Sequence, residues 1–163
     1  MKTILSGFYC PSDISEKIVT RMHQWSAVQV AATNYLGVLG DNLMGGTTPY
    51  SVGSPDCHTT SNCNGLFWRH SQAANPKSKD ITDGTSHTLL IGETVISSND
   101  HAVAFFSNGT YGSAAIYLDV LQDSEATDDG CPGRGEWAYR MGFRSRHEGV
   151  VNFVFSDGHV AGL

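Results

Sequence analysis

The sequence predicts an α+β fold, mainly antiparallel sheet with one short N-terminal helix and long loops. Three observations carry this. Short β-branched and aromatic runs recur along the chain between turn residues. Gly, Ser, Thr and Asn supply 56 of the 163 residues, a composition suited to many tight connections. Helical periodicity occurs in one stretch only. With 40% hydrophobic residues the chain has material for one core, so residues 1–163 are expected to form a single domain.

The elements follow in order. Cys10-Pro11-Ser12-Asp13 is turn chemistry, and Asp13 with Glu16 resembles a helix-capping box. Ile14, Ile18, Met22 and Trp25 then recur at helical spacing, which predicts a helix over 14–25. Residues 28–38 are β-branched and aromatic, ending among glycines, and read as a strand. Residues 41–65 lack periodicity and form a long loop. Strands are predicted at 65–70 and 88–94, with further apolar runs at 103–106 and 114–121. Finally, 150–155 and 159–163 flank Ser156-Asp157-Gly158, a strong hairpin signal.

Charge and targeting exclude some functions. Sixteen acidic against ten basic residues give a net charge of −6, so nucleic acid is not an expected partner. Arg134, Arg140, Arg144 and Arg146 make the one basic cluster, read as a salt-bridged surface. No apolar run is long enough to span a bilayer or to serve as a signal-peptide core. The four cysteines, Cys10, Cys57, Cys63 and Cys131, suit an oxidising compartment. Cys57 pairing with Cys63 across a short loop, leaving Cys10 for Cys131, is the favoured of three connectivities. The rival is zinc on Cys57, His58 and Cys63, although the spacing is not that of a zinc module.

Several motifs coincide with those of one family. RSRHEGVVNFVFSDGHV at 144–160 places nine residues between His147 and Asp157-Gly158; FYCPSD stands at 8–13, and DITDGTSHTLLIGE, with Asp83-Gly84, at 80–93. In order and spacing these blocks resemble the bacterial prepilin-type processing-associated family, also called domain of unknown function 1559. The resemblance implies a pseudopilin-like head, exported to the periplasm, cell surface or exterior. It implies assembly with pilin-like subunits or contact with a surface ligand. The chain is expected to begin where that head begins, after the leader and hydrophobic helix of typical members. Three positions depart from the pattern: His87, Val150 and His159.

Calcium is the leading cofactor expectation, because loop carboxylates and carbonyls are the oxygen ligands it takes and pseudopilin heads as a class hold it in loops. Its candidate ligands are Asp123, Glu125, Asp128 and Asp129 in the acidic loop, or Asp83, Glu93 and Asp157 in the motifs. The Asp83-Gly84 and Asp157-Gly158 pairs also read simply as turns. His147 is read as a hydrogen-bonding centre near the Asp83 or Tyr35 blocks, since an extended strand would hold it roughly 30 Å from Asp157. No G-x-S-x-G, H-E-x-x-H or P-loop motif is present, and Ser86 beside His87 is a poor dyad if both lie on a strand. Three functions remain: a surface-associated assembly or ligand-binding domain, a small Ca- or Zn-dependent hydrolase of esters or lactones, and a glycan-binding module. The last would use Phe67, Trp68, Trp137, Tyr139 and Phe143, which are more simply core.

Overall fold

The computed structural model describes residues 2–23, 26–42, 63–68, 76–99, 102–104, 111–112, 114, 119–120 and 141–163. Among them it contains nine strands and three 3-10 turns, and no α-helix. The expected α+β class is therefore corrected to a mainly antiparallel β architecture.

The predicted helix over 14–25 is overturned by β1 (Ile18–His23), which pairs antiparallel with β2 (Ser26–Ala31) from Ile18↔Ala31 to His23↔Ser26. The reason is arithmetic. A spacing of four is even, so Ile14, Ile18 and Met22 satisfy one face of a strand as well as one face of a helix. Ile18-Val19-Thr20 then tips the balance, because three consecutive β-branched residues disfavour helix. Asp13 has no helix over 14–25 to cap; its carboxylate accepts from the Ser15 and Ile96 amides instead.

The predicted strand over 28–38 is two strands, broken at Ala32-Thr33-Asn34, with β3 (Tyr35–Val38) joining a different sheet. That sheet runs in the order β5-β3-β4-β8-β9, from β4 (Leu89–Glu93), β5 (Tyr111–Gly112), β8 (Asn152–Phe155) and β9 (Val160–Gly162). All its pairings are antiparallel except β3 with β5. A parallel pair, β6 (Asp119–Val120) with β7 (Arg144–Ser145), stands apart. The C-terminal hairpin is found where the sequence places it, and Gly158 takes φ +93° in its turn. The strand expected from Gly65 instead follows β3 irregularly over 65–68, with Leu66 and Phe67 amides both donating to the Val38 carbonyl.

Period-two alternation divides this sheet into two faces. Leu36, Gly92 and Phe153 stand opposite one another and face a core with Val38, Phe143 and Val151. Gly92 is required there: a Cβ would lie 2.4 Å from Phe143 and 2.5 Å from Phe153, whose rings meet edge to face at 5.0 Å. Tyr35, Ile91, Glu93 and Val154 fall on the other face and line a cavity of about 490 Å³.

Candidate metal centre

The cavity holds a convergence of three side chains from the three motif blocks. Cys10 comes from the turn after the first 3-10 segment, Glu93 from the end of β4, and His147 from the turn between β7 and β8. Their ligand atoms all lie within 4.8 Å of one another. His147 Nε2 is 3.3 Å from Cys10 Sγ and 2.9 Å from Glu93 Oε1. The other carboxylate oxygen, Glu93 Oε2, accepts the Asn152 amide at 2.8 Å, which fixes the carboxylate's orientation.

Each residue is held from behind. The Cys10 amide donates to Asn34 Oδ1, and the Asn34 side-chain amide donates to Thr94 O and to Asp13 Oδ2. The His147 amide donates to Ser145 Oγ. Asp13 ties these supports together. Its side chain, only 2% exposed, accepts from Ser15 N and Oγ, Asn34 Nδ2, Ile96 N and Arg146 Nε. One carboxylate thus braces the segments that carry Cys10, Glu93 and His147. Burial pushes its pKa up, but the Ser15 hydroxyl and then the Ile96, Asn34 and Ser15 donors outweigh that and hold it below the ordinary carboxylate value.

The Cys10 thiol is free, and burial followed by the nearby Glu93 charge raises its pKa. Alone, it therefore stays protonated, and a cation would be needed to hold it as thiolate.

The geometry separates two chemistries. In a nucleophilic Cys–His–acid relay the imidazole uses both nitrogens, one toward sulfur and one toward the carboxylate. Here sulfur and carboxylate both address Nε2, so no relay runs through the ring. Three donors around one point is instead the pattern of a chelate. Zinc bonds of about 2.0–2.3 Å at tetrahedral angles put ligand atoms roughly 3.3–3.6 Å apart. The observed 2.9 and 3.3 Å need open by only a few tenths of an ångström.

Of the residues singled out in the sequence, Glu93 and His147 meet, and Cys10 meets them in place of a disulfide. Because Cys10 is free, the Cys10–Cys131 bridge is not formed. Cys63 is disulfide-bonded, and its partner lies outside the described residues, as do Cys57, His58 and Cys131. Asp123, Glu125, Asp128 and Asp129 also lie outside them. Asp83, Glu93 and Asp157 are not brought together. Glu93 ends β4, whereas Asp83 and Asp157 belong to turns beyond the Leu89 end, where Leu89 pairs with Phe155.

Asp157 instead pairs with His159 Nδ1 at 2.6 Å, on the surface, with the imidazole stacked on Phe155. Asp83-Gly84 is an exposed turn with Gly84 at φ +90°. There the backbone reverses rather than extends, so Ser86 Oγ does reach His87 Nδ1, at 3.3 Å, although nothing buried supports the pair. The basic cluster is not a surface patch: Arg144 is fully buried and Arg146, its side chain 3% exposed, binds Asp13, while Arg134 and Arg140 lie outside the described residues. Trp68 and Phe143 are core, Phe67 lies over Gly37, and Trp137 and Tyr139 are outside the described residues.

No helix among the described residues is long and apolar enough to cross a membrane. No curated protein and no solved structure matches the chain. One family does match, over residues 1–163; the chain belongs to that family, described as "Protein of unknown function (DUF1559)".

Proposed function

We propose that this domain is a metal-binding module that holds one zinc-class divalent ion on Cys10, Glu93 and His147, with the ion's remaining position open to the cavity. The observation that carries this is the convergence of sulfur and carboxylate oxygen on a single imidazole nitrogen. The donor set selects the ion: thiolate and imidazole suit zinc and its neighbours, whereas calcium takes oxygen throughout. Three protein ligands with one open position is the arrangement of zinc sites that act on a ligand, as against closed structural sites.

The setting belongs to the same reading. The disulfide at Cys63 supports an exported or surface-associated domain. A free buried thiol in such a compartment is accounted for if a metal occupies it. Assembly with pilin-like subunits or contact with a surface glycan rests on the family resemblance alone.

The test is titration of the metal-free full chain with Co(II), which reports thiolate ligation through its charge-transfer band and coordination number through its d–d bands. One equivalent should bind, zinc should displace it, and Cys10→Ser and His147→Ala should each abolish the band. Absence of uptake, or equal uptake by the variants, refutes the reading.

A further inference from the structure

Resting on that metal reading, the walls of the cavity specify what the ion would act upon. Cys10 thiolate and Glu93 carboxylate cancel the charge of a divalent ion. No Lys or Arg stands among the described residues lining the cavity. Pro11, Ile91, Val154 and Val160 supply an aliphatic surface, and about 490 Å³ is room for a small molecule. An anionic substrate such as a phosphate ester therefore meets no counter-charge, while a neutral one with an alkyl body is accommodated.

Tyr35 adds a proton donor. It stands directly opposite Glu93 in the β3–β4 ladder, on the same face, where Cβ atoms are about 4.5–5.5 Å apart, and it lines the cavity half-buried. Tyr35 thus shares one cavity with Cys10, Glu93 and His147. A phenol O–H beside a metal-activated water is the pairing that polarises a carbonyl: the water attacks carbon while the O–H stabilises the developing oxyanion.

We propose that the cavity is a hydrolytic site for neutral carboxylic esters, lactones among them, with Tyr35 as the oxyanion donor. Oxygen of a water at the open position bonds to the carbonyl carbon, the carbon–alkoxy bond breaks, and the alkoxide takes up the proton the water releases. One water is consumed, one carboxylic acid and one alcohol form, and no electrons are exchanged.

The zinc-loaded full chain is assayed with p-nitrophenyl butyrate, with δ-valerolactone, and with p-nitrophenyl phosphate as the anionic comparison. Saturable, chelator-sensitive turnover of the ester and lactone but not the phosphate is expected. It should fall at least 100-fold in Cys10→Ser and stay unchanged in His159→Ala, a surface variant. Tyr35→Phe should lower kcat by 10- to 1000-fold while the Co(II) spectrum stays the same, a split that mere loss of structure would not give. A normal Co(II) spectrum with ester turnover no faster than that of free zinc overturns this inference and leaves the metal site standing. Failure to bind Co(II) overturns both. Full activity in Tyr35→Phe refutes the role given to that hydroxyl.

Discussion

Replacing Asp13 by Asn tests whether one buried carboxylate braces the candidate site. Oδ1 of Asp13 takes three donors, from Ser15 N, Ser15 Oγ and Arg146 Nε, and Oδ2 takes two, from Asn34 Nδ2 and Ile96 N. An asparagine amide must present its NH₂ to one of these sets, so two donors at least face a donor. Each buried donor so opposed costs about 1–3 kcal/mol, and breaking a buried ion pair about 3–5 kcal/mol. A destabilisation of about 4 kcal/mol at pH 7 is expected, equivalent to roughly 10 °C in Tm for a chain of this size. Urea unfolding followed by tryptophan fluorescence gives the number.

The acid limb supplies an independent sign. Because the folded pKa lies below the unfolded value, the contribution of Asp13 is complete above about pH 4. It is lost as the pH falls through the lower folded pKa. The wild type should therefore shed stability on acidification in a range where Asp13→Asn shows a shallower slope. A loss under 1 kcal/mol in the variant, or identical acid slopes, refutes the bracing role.

Further outcomes follow from the same geometry. Gly92→Ala forces a methyl group into the Phe143–Phe153 pair and should cost about 1–3 kcal/mol, with a weakened near-UV circular dichroism signal; an unchanged thermal midpoint contradicts the packing. Zinc at a hundred times its Kd should add about 2.7 kcal/mol of stability, reversed by chelator and absent in Cys10→Ser, as read by thermal denaturation. His159→Ala should leave the urea midpoint unmoved, because the Asp157–His159 pair is exposed and screened; a clear drop would show that the C-terminal turn depends on it.

Legibility in the sequence followed the range of the interactions. The hairpin around Ser156-Asp157-Gly158 and the strand ending at Glu93 are dictated by neighbours in the chain, and both stand where predicted. The segment from Ile14 fails because its even spacing serves two periods, and the partner that decides between them, β2, is supplied by the fold. The site fails for a related reason. Cys10, Glu93 and His147 each stand in a motif block, yet each draws a local reading: disulfide, calcium ligand, hydrogen-bonding centre. Only the β3–β4–β8 register and the Asn34–Asp13 support bring them to one point. Asp13 itself looks like a cap because capping and bracing ask the same of a carboxylate, acceptance from backbone amides.

Cys10 and His147 are separated by 137 positions. No partial chain contains both until it has grown 137 residues beyond Cys10, and closing so long a loop is slow. An ion therefore cannot template early folding, as it does in small zinc fingers; it can only be captured by a chain whose sheet is already in register. Metal loading would then act as a final proofreading step, separating finished molecules from those trapped with the last hairpin unpaired.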